Sequence, residues 1–258
     1  MKFSISVNIL FSVHAVLANI SAPGLYTCPP STLDVQDGVC FILFDKSVNY
    51  CEAHQVCEKE GHSRGLRLFM VGREANKVKG IFNSPRVIPT GIHTLMNPGV
   101  YGLYGWQVNE PGYISKMLHA NDFLWGSHLH AGVGEQVAVV VGTRLIAVSQ
   151  SMPVTAVVCQ LSTVPYPNKS GISQFYETHS DSLTNNFMGS SKSRGCLRQT
   201  TALSTLACGL KCRMLDECVS FYFNQNTNDC HLSMYVDSRL PKSLKDSPGT
   251  WARYARKS

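Results

Sequence analysis

Three things are scarce in this chain of 258 residues: charge, long apolar runs and catalytic motifs. Only 16% of the residues are charged, so a disordered, self-repelling polyelectrolyte is excluded and real cores can be buried. Beyond the N-terminus no stretch is long and apolar enough to cross a bilayer. There is no Gly-x-Ser-x-Gly and no His-Glu-x-x-His, and the Asp and Glu residues are scattered without an acid/base pair. These absences argue against an enzyme and imply no cofactor. No internal repeat is present, which excludes solenoids and propellers.

What is present begins with a leader. Residues 1–18 hold Lys2, an apolar run interrupted by Asn8 and His14, and the small-residue end Val16, Leu17 and Ala18. That is the layout of a secretory signal peptide. A secreted chain makes nucleic acid an improbable partner. The even count of ten cysteines suits an oxidising compartment. Asn19 and Asn168 open glycosylation sequons. The net charge of +6 is local: Arg239, Lys242, Lys245, Arg253, Arg256 and Lys257 face only Asp246 in the last twenty residues. Such a tail attracts sulfated polysaccharide or anionic membrane surfaces, or is simply a solvated terminus.

The C-terminal cysteines carry the densest signal, as Cys208-x3-Cys212-x5-Cys218 followed by Cys230. The segment from Ser204 to Leu215 reads as one helix with Ser204 as N-cap, and it sets Cys208 and Cys212 on one face. Val219 to Phe223 and Cys230 to Tyr235 read as two strands around the turn residues Asn224 to Asp229. Two bridges from helix to hairpin would staple a unit of roughly 60 residues, a size at which a core alone is marginal. Zinc is a poor alternative at these spacings. The pattern, from about Gly195 to Tyr254, resembles the PAN/apple module. The resemblance implies Cys208–Cys230 and Cys212–Cys218 pairs, and a role in protein or glycan recognition or adhesion.

Residues 162–194, with Pro165, Pro167 and a Ser/Asn/Thr/Gly-rich run, have linker composition. They divide 28–161 from 195–258. The first unit opens with Cys28-Pro-Pro and Cys40-Phe as a cysteine-closed hairpin. A helix follows over Val48 to Gly61, with Tyr50, Ala53, His54 and Cys57 on one face and Gly61 as C-cap. A second helix is expected near Arg73 to Phe82. The chain is irregular from Ile92 to His130, and three strands follow at Gln136–Gly142, Arg144–Gln150 and Thr155–Leu161. The fold class is α+β, as two disulfide-stapled domains.

Cys28-Pro-Pro…Cys40-Phe, Ala53-x3-Cys57-x3-Gly61, Gly134-Glu135-x-Val137-x-Val139 and Val157-Val158-Cys159 together resemble the C-type lectin-like domain. That fold has two helices, antiparallel sheets and a long irregular loop, and the likeness implies Cys28–Cys40 and Cys57–Cys159. The family's second bridge has no cysteines here. Its calcium and sugar triplets are replaced by His128-Leu129-His130 and by Arg144 to Val148, which offer no oxygen ligand set. Asn109-Glu110-Pro111 is out of order and too far upstream.

Other candidates remain. His128 and His130 flank Leu129 and, with His119 or His93, form a weak candidate zinc or copper site; the alternative is surface histidines. Tyr101, Tyr104 and Tyr113 are candidate contacts for sugar rings or proteins, with Glu135 nearby. Trp106 and Trp125 read as core. Cys51 and Cys196, left over after four pairs, either bridge each other or join two chains as a disulfide-linked matrix component.

Overall fold

In the computed structural model, the described residues are 28–34, 38–78, 86–96, 105–111, 116–117, 125–126, 134–166, 173–177 and 186–256. Their architecture is mixed α+β with antiparallel sheets. Strand β1 (Leu33–Asp34) and strand β2 (Cys40–Phe44) form a hairpin closed by Cys28–Cys40. Helix α1 (Tyr50–Arg64) follows. It starts where it does because Asn49 accepts from Glu52 N while Glu52 accepts from Asn49 N, a reciprocal cap.

Gly61 is not the C-cap. The helix runs one turn further and ends at Gly65, whose φ of 64° requires a left-handed residue. Gly61 is buried inside the helix for a packing reason: a Cβ there would stand 2.7 Å from the Leu66 carbonyl oxygen. Strand β3 (Leu68–Met70) then crosses under α1.

A short helix α2 (Ala75–Val78) buries Ala75 and Val78 within the expected second helix, and residues 79–85, including Phe82, lie outside the described set. Strand β4 (Val87–His93) was not expected. Its Pro89 and Gly91 break the strand pattern, and the structure accommodates them at a register shift between Pro89 and His93. With β5 (Gln107–Val108), β6 (Lys116–Met117), β7 (Glu135–Val141) and β8 (Arg144–Ser149) it forms a sheet of order β6-β5-β4-β7-β8. The segment expected to be irregular therefore contributes β5, β6 and the last two residues of β4 to this sheet.

Strand β9 (Val157–Leu161) turns back to the start of the chain and lies between β2 and β3. Cys57–Cys159 ties α1 to it. The opening hairpin, through β2, and the last strand of the unit are thus neighbours in one sheet. Phe41, Val71, Ile92, Trp106, Val140 and Val158 share one core between the two sheets.

The C-terminal sheet has the order β10-β14-β12-β13-β11, from β10 (Phe175–Glu177), β11 (Leu197–Thr201), β12 (Cys218–Asn224), β13 (Asp229–Met234) and β14 (Trp251–Arg256). Helix α3 (Thr205–Arg213) has Ser204 as its N-cap, accepting from Ala207 N. Cys208 and Cys212 face the sheet and bond Cys230 and Cys218. Gly209 lets the helix lie close, since a Cβ would meet Phe221 at 3.3 Å.

Residues 162–194 are more than a linker. β10 pairs with β14 as an edge strand, and Met188 is buried with its N–H on the Leu240 carbonyl. Composition registers the polar majority of that stretch, while Phe175, Phe187 and Met188 do the packing.

Candidate recognition surface and the seam between the lobes

Tyr101, Tyr104, Tyr113, His119, His128, His130, Asn19, Asn168 and residues 1–18 lie outside the described residues. Glu135 is described. It opens β7, half-buried, opposite Ser149 of β8. Trp106 is buried, and its ring lies 4.8 Å from that of Trp125, which packs on the same core. Both belong to the interior, not to a contact surface.

His93 is buried at the end of β4. Its Nδ1 accepts from Leu95 N, so the proton must sit on Nε2, which then donates to Asn109 Oδ1 at 3.0 Å. Both ring nitrogens are engaged, and His93 is no third metal ligand for His128 and His130. Burial holds its pKa below the ordinary value. Glu110 is spent as well: Oε1 accepts from Arg73 N at 2.7 Å, and Arg73 Nε lies 3.7 Å from Oε2. Burial raises its carboxyl more than Arg73 lowers it. On β8, Leu145 and Ala147 point inward while Arg144 is exposed, and the strand carries no carboxylate or amide side chain.

Half of the basic tail is engaged within the fold, and Lys257 lies outside the described residues. Arg253 is buried against Asp237, which also accepts from Ser220 Oγ. Arg256 donates to the carbonyls of Cys212 and Leu215. Arg239 Nε donates to the Met96 carbonyl at 2.8 Å. Arg253 and Arg256 are structural because β14 is an inner strand of its sheet, and Arg239 is held by the Met96 carbonyl. Lys242 and Lys245 stay exposed around a short 3-10 turn.

The two lobes meet along a packed seam. Cys51 bonds Cys196, and all ten cysteines are paired within the chain, so neither is left to join two copies. Gln150 locks this bridge. Its Oε1 accepts from Arg194 N and Gly195 N at 2.9 and 3.0 Å, while Nε2 faces both sulfurs. Tyr235 from the C-terminal lobe stacks on His54 of α1, and its hydroxyl donates to Glu58 Oε2. His54 is buried, its Nε2 has no hydrogen bond among the described residues, and burial pulls its pKa down to about 3. The Cys51–Cys196 bridge was one of the two expected pairings, but the His54–Tyr235 stack and the Glu58 contact were not legible in the sequence, although Tyr50, His54, Glu58 and His62 recur every four residues, the spacing of one helix face.

A second feature that sequence reading missed is on α3. Leu203, Leu206, Leu210 and Met214 are 92%, 83%, 55% and 58% exposed. Leu206 and Leu210 stand on α3 opposite its disulfide-bearing face, with Leu203 just ahead of the Ser204 cap and Met214 at the C-cap. Their spacing of three, four and four residues was the available signal.

No family model matches the chain, and no curated protein does. Solved structures do resemble it. The human scavenger receptor C-type lectin carbohydrate-recognition domain is 16% identical, covering 52% of this chain and 98% of that one, with a TM-score of 0.37. The cow C-type carbohydrate-recognition domain of CD23, solved in the presence of a GlcNAc2Man3 oligosaccharide, gives 17%, 54%, 99% and 0.39. The C-type lectin CEL-I from Cucumaria echinata gives 15%, 52%, 97% and 0.38. Among the described residues no helix is long and apolar enough to cross a membrane.

Proposed function

We propose that this chain is a secreted recognition protein without enzymatic activity. In this reading residues 28–161 are a C-type lectin-like domain lacking the usual calcium and sugar motif, and 195–258 are a PAN/apple module. The residues between them connect and brace the two. The ligand is an extracellular protein or glycoprotein surface. The observation that carries the reading is the solvent-facing apolar patch of Leu206 and Leu210, flanked by Leu203 and Met214 at the helix ends, on a helix pinned by two disulfides. An apolar patch held rigid in water is a common mark of protein recognition. Complete pairing of the cysteines supports an oxidising, extracellular setting.

A second reading is a calcium-independent lectin. It is favoured by the absence of carboxylate and amide side chains on β8. A glycan array with the mature protein, in calcium and again in EDTA, separates the two. Signal in both buffers establishes the lectin. Signal lost in EDTA restores a calcium-dependent site. No signal in either leaves protein recognition, and capture of extracellular partners by wild type but not by Leu206→Glu then identifies the α3 patch as the contact.

A further inference from the structure

Helix α1 carries Glu58 and His62 four residues apart, both turned toward the C-terminal lobe. Glu217 stands opposite, immediately before β12. One ligand atom from each of the three lies within 4.8 Å of the others, and His62 Nε2 is 4.0 Å from Glu217 Oε1. Glu58 and Glu217 are half-buried and face one another. Among the described residues neither has a Lys or Arg ion pair. Arg67, the nearby guanidinium, donates instead to the Pro165 and Val164 carbonyls, and Arg256 to those of Cys212 and Leu215. Two carboxylates gathered around one imidazole, with no side-chain cation between them, make an arrangement that a metal cation would neutralise.

We propose that Glu58, His62 and Glu217 form a binding site for one divalent transition-metal cation of the Zn²⁺ type, clamping the two lobes across their seam. The donor set decides the class. One imidazole nitrogen with two carboxylate oxygens suits Zn²⁺, whereas Ca²⁺ takes six to eight oxygens. Water completes a tetrahedron. Zinc ligands at about 2.1 Å stand roughly 3.4 Å apart. The three atoms must therefore close by about 1 Å, within reach of two glutamates and an imidazole that is half exposed.

Groups around the ligands are already placed. The Tyr235 hydroxyl donates to Glu58 Oε2 at 2.5 Å and orients the carboxylate. His62 stacks on Tyr166 at 5.1 Å, which holds the ring plane, and the Arg67 guanidinium also lies over the Tyr166 ring, at 5.2 Å. The site is separate from the recognition surface proposed on α3 and does not depend on that reading.

The test is isothermal titration of the full, disulfide-intact chain with zinc chloride, near neutral pH. One zinc per chain is expected. His62→Ala and Glu217→Gln should each weaken binding at least tenfold, and Tyr235→Phe by about tenfold through the lost orienting bond. The His128→Ala/His130→Ala double variant should bind as wild type does. His62 is exposed enough that its removal should not disturb folding, and matching circular dichroism checks this. Zinc should also raise the melting temperature of wild type but not of Glu217→Gln. Absence of zinc binding to wild type overturns the proposal. So does undiminished binding by both His62→Ala and Glu217→Gln, or loss of binding in the His128→Ala/His130→Ala variant.

Discussion

Acid should loosen this protein through His54, and the size of the effect follows from the structure. The imidazole is buried between Tyr50, met edge-on at 5.1 Å, and Tyr235, stacked at 5.0 Å. Burial, with a smaller contribution from His93, lowers its pKa from 6.5 to about 3. The neutral ring is the one that folds. Above the unfolded value both states are neutral and stability is complete. As pH falls below 6.5 the unfolded chain takes up a proton that the folded one refuses, so stability drains until the folded pKa is passed. Near pH 5 the loss is about 2 kcal/mol, growing to about 5 kcal/mol at full development. Either is a large share of the roughly 5–15 kcal/mol typical of a folded domain.

The perturbation is His54→Phe, which keeps the stack and removes the titrating group. Urea unfolding with disulfides intact, at about pH 7.5 and about pH 5, reads the difference. The variant should lie within about 1 kcal/mol of wild type at the higher pH and lose about 2 kcal/mol less than wild type at the lower one. Glu217, whose raised pKa acts with the opposite sign, and His93, lowered by burial, remain in both proteins and largely cancel. Equal acid losses in variant and wild type would refute the argument.

Other outcomes follow from the same coordinates. Replacing Cys51 and Cys196 together by Ala should cost about 4 kcal/mol, because Cys57–Cys159 already shortens the loop this bridge closes to roughly 40 residues; urea midpoints of the oxidised proteins measure it. Gly61→Ala should destabilise by about 1–3 kcal/mol despite the better helix propensity of Ala, since its Cβ would press on the Leu66 carbonyl and Leu68 N; a stabilised variant in thermal melts would contradict this packing. Asp237→Ala should cost about 3–5 kcal/mol, because it removes the carboxylate partner of buried Arg253 and takes the acceptor from Ser220; denaturant unfolding checks it, and a loss under 1 kcal/mol would show the pair to be dispensable.

What the sequence determined by itself is local or covalent in origin. Ser204 announces the start of α3 because a capping hydroxyl acts on an N–H three residues away. The helix, hairpin and Cys208-x3-Cys212 spacing of the last lobe could be read because their contacts lie within about thirty residues. Alternating Val and Ala marked β7 and β8. Tertiary structure decided the rest. Gly61 reads as a helix stop until the Leu66 backbone is seen against it. Pro89 and Gly91 argue against a strand until β7 supplies a partner with a shifted register. The arginines of the last twenty residues look like a charged surface, yet their partners, Asp237, Met96 and the carbonyls ending α3, are distant or lie on another element. Cys51 and Cys196 left two pairings open, and only the packing of Gln150, Tyr235 and His54 along the seam brings them together. Local propensity is written residue by residue, whereas a contact across 145 positions depends on how whole sheets stack, and no window of sequence contains that information.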